Sequence, residues 1–327
     1  MARPGGVWLP ALVGLGITMG AMGPAAADPM DQNEAAAVLK RIAEASRQLS
    51  YKGTFVYQQG DQFQTSRIFH LAVGGKEYER LETLDGPRRE IVRTNDEVLR
   101  YYPEAKIIRS EKRVARRTFP ALLPEQIDSI TEQYRIRKGE TERIAGFDSL
   151  ALELEPKDGM RYGHKFWTET GSGLLLKARM VDERHNLVEQ YSFTQLDIGP
   201  VDKSLVKPAY KPGPDWKVDR LPEAPVGTPE WIVKIVPSGF HKILEMRRSK
   251  QGNAVTVTHM VFSDGLAAIS VFIEPSASRS RVNPGPSRQG AINIYTRTLD
   301  DQVVTVLGEA PAPAVQQIGE SVALRGK

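Results

Sequence analysis

The sequence predicts a mainly β protein of the α+β class. One large curved antiparallel sheet is expected to form an unclosed barrel with packed helices, followed by a smaller α+β domain. Short segments of alternating apolar and polar residues, separated by Gly, Pro, Asn and Asp, recur along most of the chain. Only three segments after the N-terminus have the apolar spacing of a helix. Because so few helices cannot cover a flat sheet of this size, the sheet is expected to roll up around its apolar face.

The first 27 residues have the pattern of a cleavable secretory signal. Arg3 precedes an uncharged apolar run, and the small residues Ala25-Ala26-Ala27 supply an A-x-A cleavage site before Asp28. The alternative is a membrane anchor, but the strongly apolar part is shorter than the roughly 20 residues that a spanning helix needs, and glycines interrupt it. We therefore predict that residues 1–27 are a signal peptide and that the mature protein is soluble in the periplasm.

The first domain begins with a predicted helix, because apolar residues recur at steps of three and four after Asn33, a candidate N-cap. From Lys52 the apolar period changes to two, and Gln59-Gly60-Asp61 is predicted to join two strands in a hairpin. A short helix around Ile127 divides the strands that follow. Their predicted ranges are Tyr78–Leu84, Arg88–Arg93, Glu97–Tyr102, Lys106–Arg109, Tyr134–Arg137, Leu150–Leu154, Tyr162–Thr168, Leu174–Asp182 and Val188–Asp197.

A proline-rich segment separates two predicted domains. Seven prolines fall between Gly199 and Pro229, a composition typical of a stiff, extended linker. The length of 327 residues also suits two domains of ordinary size. The predicted division is a first domain over residues 28–199, a linker over 200–229 and a second domain over 230–327.

The second domain is predicted to consist of short strands and one terminal helix over Pro313–Val322. Between its strands lies the segment Pro275–Gly290, which is rich in Ser, Arg, Pro and Gly and is predicted to be an exposed, mobile loop. The predicted strands are Trp231–Val236, His241–Arg247, Ala254–Phe262, Ala267–Ile273, Ala291–Thr298 and Gln302–Leu307.

The residue types and spacings that carry catalysis are missing from the sequence. There is no cysteine, so disulfides and thiolate metal sites are excluded. The histidines are scattered without metal-ligand spacing, and no P-loop, G-x-S-x-G or G-x-G-x-x-G motif occurs. The formal net charge of +4 is too small to predict nucleic-acid binding. The sequence therefore predicts neither an enzyme nor a cofactor or metal site.

Two features favour binding. Apolar residues on successive strands are predicted to line a lipid cavity, although an ordinary sandwich core would produce the same pattern. The candidates are Phe55, Tyr57, Phe69, Leu71, Phe166, Leu174, Leu176, Met180, Tyr191 and Phe193. A cluster of basic residues is predicted to bind an anionic lipid or acidic peptide, the alternative being a solvated sheet face. Its members are Arg88, Arg89, Arg93, Arg109, Arg113, Arg116 and Arg117.

Five segments of the chain together suggest a relationship. They are Leu49-Ser-Tyr-Lys-Gly-Thr-Phe-Val-Tyr57, Arg88-Arg-Glu-Ile-Val92, Val236-Pro-Ser-Gly-Phe240, Val304-Thr-Val-Leu-Gly-Glu309, and above all the segment from His259 to Glu274 that contains Ser263-Asp-Gly-Leu266. These segments resemble the MucB/RseB family of periplasmic stress-response regulators. The resemblance covers nearly the whole mature chain, in order and with the same two-domain division.

The resemblance implies a lipid-sensing first domain similar to the LolA/LolB lipoprotein carriers and a second domain that binds an anti-sigma factor. The implied partner is the periplasmic part of a membrane anti-sigma factor similar to RseA or MucA, which such regulators shield from proteolysis until lipid or lipopolysaccharide releases them. A periplasmic lipid or lipoprotein carrier is the alternative, but it accounts only for the first domain. A secreted hydrolase lacks a nucleophile constellation. A monomer and a homo-oligomer are both compatible with the sequence.

Overall fold

The computed structural model describes residues 28–94, 97–112, 118–220, 223–225, 230–249, 256–278 and 283–326. The predicted signal peptide, residues 1–27, lies outside the described residues. Among the helices in these ranges, none combines the length and the hydrophobicity needed to cross a bilayer.

The first sheet contains thirteen strands within the described ranges. In chain order they are β1 (Asp28–Pro29), β2 (Tyr51–Gln59), β3 (Gln62–Val73), β4 (Lys76–Thr83), β5 (Glu90–Thr94), β6 (Glu97–Tyr102), β7 (Ile107–Lys112), β8 (Tyr134–Ile144), β9 (Phe147–Pro156), β10 (Gly163–Glu169), β11 (Leu175–Val181), β12 (Leu187–Ile198) and β13 (Lys217–Arg220). Their order in space is β1-β8-β9-β10-β11-β12-β2-β3-β4-β5-β6-β7-β13. Because β1 and β13 lie at opposite edges and do not pair, the sheet is an unclosed barrel, and the predicted fold class is confirmed.

Helix α1 (Gln32–Gln48) covers the inner face of this sheet. Its N-cap is Asp31, whose carboxylate accepts a hydrogen bond from the Glu34 amide at 2.8 Å. The prediction that Asn33 is the N-cap is therefore wrong, because Asn33 already lies in the first turn. The apolar side of the helix buries Leu39 and Ile42 in the core. A second, shorter helix, α2 (Asp128–Gln133), packs beside α1.

The second sheet has seven strands in the described residues, in the spatial order β14-β16-β17-β18-β21-β20-β19. A separate pair of short strands joins β15 to β22, and helix α3 (Ala312–Ser321) packs on β20 and β21. The strands are β14 (Glu223–Pro225), β15 (Trp231–Val233), β16 (His241–Ser249), β17 (Thr256–Ser263), β18 (Ala268–Pro275), β19 (Gly285–Gln289), β20 (Ile292–Leu299), β21 (Gln302–Gly308) and β22 (Val322–Leu324).

Most of the proline-rich segment packs against the sheets. Val201 and Val206 lie in a buried cluster on the outer face of the first sheet, and the Trp216 ring lies 6.4 Å from the Tyr101 ring. Strand β13 then pairs in parallel with β7, and β14 pairs with β16 of the second sheet. The prediction of a stiff linker over all of residues 200–229 is corrected, because prolines exclude a regular helix but allow an extended chain to run along a sheet.

The segment predicted to be a mobile loop, Pro275–Gly290, contains regular structure. A short 3-10 helix covers Ser276–Ser278, and Gly285–Gln289 forms the edge strand β19, which pairs with β20. Four of the five residues of β19 are exposed, as predicted for this segment. An edge strand with solvent on both faces has no apolar period, so its sequence does not distinguish it from a loop.

Candidate functional site

The inner face of the first sheet is filled by its own aromatic and aliphatic side chains. Among the predicted cavity residues, five are at most 4% exposed and belong to one core cluster: Phe55, Phe166, Leu174, Leu176 and Phe193. The ring of Phe119 lies 5.1 Å from that of Phe55 and 4.9 Å from that of Phe193, measured between centroids. A ligand that enters this core must displace a protein side chain.

Phe119 begins a segment that closes the core from outside the sheet. We call residues 119–130 the plug segment. Its apolar members Leu123, Ile127 and Ile130 are at most 5% exposed and pack in the same cluster as α1. The sequence predicted a short helix around Ile127 in this segment, but nothing in it indicated that the segment covers the core. Its role as a cover depends on tertiary contacts.

The other predicted cavity residues occupy three different surroundings. Tyr57 and Tyr191 are half-buried beside the core, with their ring centroids 4.7 Å apart. Met180 packs with Ala291 of the second domain, as described below. Phe69 and Leu71 lie on the outer face of the first sheet, under Val201 and Val206, so the prediction that they face inward is wrong.

The reversal at Phe69 and Leu71 has a simple cause. Successive residues of a strand point to opposite faces. In β3 it is Ile68 that belongs to the inner core cluster, while the outer face is covered by the proline-rich segment. Both faces of β3 are therefore buried, and the alternation of its sequence does not show which face is the inner one.

The two sheets meet at a buried ion pair between Arg161, which precedes β10, and Asp264, which follows β17. Neither side chain is exposed, and the Arg161 Nη1 group donates to Asp264 Oδ2 at 2.8 Å. Arg161 also donates to both carboxylate oxygens of Asp158 at 3.0 Å and to the Ser238 carbonyl at 2.5 Å. Its guanidinium lies 5.4 Å from the Phe240 ring centroid. One side chain of the first domain thus contacts three residues of the second.

Asp264 serves its own domain as well. Its Oδ1 atom accepts hydrogen bonds from the amides of Leu266 at 3.0 Å and Ala267 at 2.8 Å, which fixes the turn between β17 and β18. Burial raises the pKa of the Asp264 carboxyl, while these two amides and Arg161 act in the opposite direction. The turn is the Ser-Asp-Gly-Leu segment, and we call it together with Arg161 the domain joint.

The plug segment contacts the domain joint directly. Ser129 donates its hydroxyl to the Asp264 carbonyl at 3.2 Å. Gly265 has a φ of +104°, and a Cβ atom at this position would lie 3.2 Å from Pro124 Cγ. Leu266 packs against the core of the first domain. The plug segment therefore touches both the candidate lipid core and the second domain.

A second contact between the domains lies at Tyr162, directly before the first residue of β10. Asn293 Nδ2 donates to the Tyr162 hydroxyl at 2.9 Å and to a carbonyl of its own domain at 2.8 Å. Ala291 packs against Tyr162, Met180 and Val188. Arg161 and Tyr162 are adjacent in sequence, so one short segment supports both contacts.

The predicted basic cluster is only partly described, because Arg113, Arg116 and Arg117 lie outside the described residues. Arg93 forms an ion pair with Glu79 and donates to the Thr118 hydroxyl at 2.8 Å. Arg89 donates to Gln64 at 3.1 Å. Arg109 lies 3.6 Å from the Asp219 carboxylate, and for Arg88 the backbone amide donates to Glu104. Three of these four guanidinium groups therefore have intramolecular partners.

His164 lies beside the domain joint and supplies a pH prediction. Its ring centroid is 6.0 Å from that of Tyr134, and burial lowers its pKa to about 4. In the unfolded chain, His164 becomes protonated as the pH falls below 6.5. In the folded chain it becomes protonated only near pH 4. We therefore expect the free energy of unfolding to fall as the pH drops through this interval, by about 2–3 kcal/mol.

Urea denaturation at several pH values measures the effect of His164. His164→Asn is expected to reduce the loss between pH 6.5 and 4, because the asparagine side chain does not titrate. His185, an exposed turn residue, is the matched control for the effect of replacing a histidine by asparagine. Equal profiles for the wild-type chain and His164→Asn would contradict the assignment.

The described residues contain no group of three or more histidine, aspartate or glutamate side chains placed to hold a metal ion. The residues brought together here, Arg161, Asp264 and the plug segment, join domains and cover a core.

Comparison with known proteins shows similarity over both domains of the chain. The MucB/RseB N-terminal domain matches residues 34–211, and the MucB/RseB C-terminal domain matches residues 226–323. The sigma factor AlgU regulatory protein MucB of Pseudomonas aeruginosa is 31% identical over 87% of this chain and 89% of its own length. The sigma-E factor regulatory protein RseB of Escherichia coli K12 is 23% identical over 88% of this chain and 89% of its own length.

Solved structures agree with this assignment. A crystal structure of MucB in complex with MucA(peri) superposes with a TM-score of 0.72 at 29% identity, covering 90% of this chain and 100% of that one. A complex of Pseudomonas aeruginosa MucA and MucB gives the same TM-score at 28% identity, covering 90% and 99% of the two chains. The matched relatives are named as regulators of sigma factors, which confirms the prediction that the chain is not an enzyme. With both of its domains matched, the chain belongs to the MucB/RseB family.

Proposed function

We propose that this protein is a periplasmic negative regulator of the envelope stress response. It binds the periplasmic part of a transmembrane anti-sigma factor and shields that part from proteolysis. The observation that carries the proposal is the match of 90% of this chain to a MucB chain solved with MucA(peri). The secretory signal predicted for residues 1–27 supports a periplasmic location.

Both domains contribute to the proposed binding surface. A flexible segment that must be hidden from a protease needs a long surface, and two linked weak sites gain affinity through effective concentration. The buried Arg161–Asp264 pair holds the two sheets against each other. This supports a partner that contacts both domains at once.

Lipid is the proposed releasing ligand, in the form of an acyl chain or lipopolysaccharide. An acyl chain that enters the core at Phe55 and Phe193 must displace Phe119 or its neighbours in the plug segment. The same segment contacts Asp264 and Gly265 of the domain joint. Lipid and partner then favour different domain arrangements, and each lowers the affinity for the other.

Acyl-chain binding is testable with a fluorescent fatty acid and the full mature chain. We expect saturable binding, and tighter binding by Phe119→Ala, because the acyl chain then fills space that the ring occupied. Each buried CH₂ group contributes about 0.8 kcal/mol. Leu71→Ala, which removes apolar volume from the cluster on the outer face, is the matched control and should bind like the wild-type chain. Absence of saturable binding by both the wild-type chain and Phe119→Ala would refute the lipid site.

The basic residues between Arg88 and Arg117 are proposed to influence the association rate for an anionic ligand. Arg89, Arg93 and Arg109 already have intramolecular partners, which reduces the charge available to a ligand. Exposed rim charges act mainly on the association rate and its salt dependence.

The alternative function is a periplasmic lipid or lipoprotein carrier, and it is favoured if the chain binds lipid but does not protect an anti-sigma domain from its protease.

A further inference from the structure

The outer face of strands β10 and β11 carries a buried tryptophan under three cationic side chains. Phe166 points into the core, so the next residue, Trp167, points to the opposite face of the sheet. On β11 the residues paired with Trp167 and Lys165 are Lys177 and Arg179. Trp167 is nevertheless only 2% exposed, because it packs in the same core cluster as Phe166 and these long side chains lie near its ring.

The three cations converge on one ring. Lys177 Nζ lies 4.4 Å from the Trp167 ring centroid, Lys165 Nζ lies 5.3 Å from it, and the Arg179 guanidinium carbon lies 5.6 Å from it. Like charges this close repel each other unless anions compensate them. A cluster of this kind attracts anions.

The protein's own anions compensate only part of this charge. Lys165 forms an ion pair with Glu153 at 2.7 Å. Arg179 donates at 2.8 and 3.1 Å to the neutral amide oxygen of Gln190. Lys177 has no ion pair within the described part of the chain. Burial, Arg179 and Lys165 lower its pKa, while the Glu142 carboxylate acts in the opposite direction. An added anion would relieve this repulsion.

A second observation at the same ring points to a ligand. The Nε1 group of Trp167 is buried and has no hydrogen-bond partner among the described residues. Buried N–H groups in folded proteins nearly always have a partner. The indole donor is explained if an oxygen of a bound ligand, reached by a small shift of the covering side chains, accepts from it.

We propose that Lys165, Lys177 and Arg179 form a binding site for a phosphate group, with Trp167 as its floor. A phosphate has several oxygens that accept hydrogen bonds at once, from the fork of an arginine and from the ammonium groups of lysines. The three cationic side chains around the Trp167 ring can supply hydrogen bonds to several of these oxygens. The phosphate can belong to a free anion or to a phospholipid headgroup. The inference does not depend on the proposed regulatory function.

The test follows the indole N–H resonance of Trp167 in the full mature chain by NMR. The resonance is assigned with Trp167→Phe, and the indoles of Trp216 and Trp231 serve as internal references. Inorganic phosphate is titrated in one arm, with chloride at matched ionic strength. Vesicles of phosphatidylglycerol are titrated in the other, with phosphatidylcholine vesicles as the comparison. We expect a saturable change at Trp167 in at least one arm, and the responding arm identifies the source of the phosphate.

The variant Lys177→Gln tests whether phosphate binds at the cluster of Lys165, Lys177 and Arg179. It is expected to weaken binding at least tenfold, because a charge-assisted hydrogen bond is lost. Lys203→Gln removes the same charge from an exposed loop and should leave the affinity unchanged. The proposal is overturned if neither arm gives a saturable change at Trp167, or if Lys177→Gln binds as well as the wild-type chain.

Discussion

Replacing Asp264 by alanine is expected to lower the free energy of unfolding by about 3–5 kcal/mol, because it leaves a buried cation without its partner. The Arg161 side chain has no exposed surface, and Asp158 and the Ser238 carbonyl would be its remaining hydrogen-bond acceptors among the described residues. The amides of Leu266 and Ala267 would also lose their acceptor. Urea denaturation measures the loss, and small-angle scattering should show that the two domains move apart.

Asp158→Ala is the matched control for this prediction. Asp158 binds the same guanidinium, but it belongs to the first domain and its side chain is 32% exposed. We expect a loss of about 1 kcal/mol and an unchanged scattering profile. If Asp158→Ala costs as much as Asp264→Ala, or if neither change alters the domain spacing, the Arg161–Asp264 pair does not hold the domains together.

Separating the two domains is expected to weaken binding of a MucA-like periplasmic domain by roughly 10²- to 10⁴-fold for either half. The fragments should be residues 28–220 and 223–327. A cut near residue 205 would remove Trp216 and strand β13 from the first sheet. Calorimetry measures the dissociation constants, and a protease assay measures the protection of the partner.

Circular dichroism of each fragment provides the control for folding, because an unfolded half would bind weakly for a trivial reason. A mixture of the two halves should bind more weakly than the joined chain at the same concentration. If one folded fragment alone protects the partner as well as the full mature chain, the two-domain binding surface is wrong. The other domain would then need a different role.

The strands were largely predictable from sequence because a half-buried antiparallel strand alternates apolar and polar residues between turn residues. Strand β6 has the predicted limits, Glu97–Tyr102. Strand β13 was missed because its residues, Lys217–Arg220, are polar and mostly exposed, and its parallel pairing depends on a distant strand. An edge strand of this kind carries little apolar pattern.

The candidate site was less predictable because its contacts are long-range. Arg161 and Asp264 are separated by 103 positions, and nothing in the local pattern around Arg161 indicates its partner. The Ser-Asp-Gly-Leu segment was recognised as characteristic of the family, but its role as the place where the domains meet required the structure. For the same reason, the alternating sequence around Phe69 separated the residues of the two strand faces. It did not indicate which face the proline-rich segment covers.

The chain passes from one sheet to the other at their edges, and this limits how the domains can move. Strand β13 is an edge strand of the first sheet and β14 of the second, with only residues 221 and 222 between them. Three Cα–Cα steps allow at most about 11 Å between Arg220 and Glu223. If the Arg161–Asp264 pair opens, the short connection therefore keeps the two edge strands within that distance of each other. Reclosure is then intramolecular, and its rate should not depend on how dilute the regulator is.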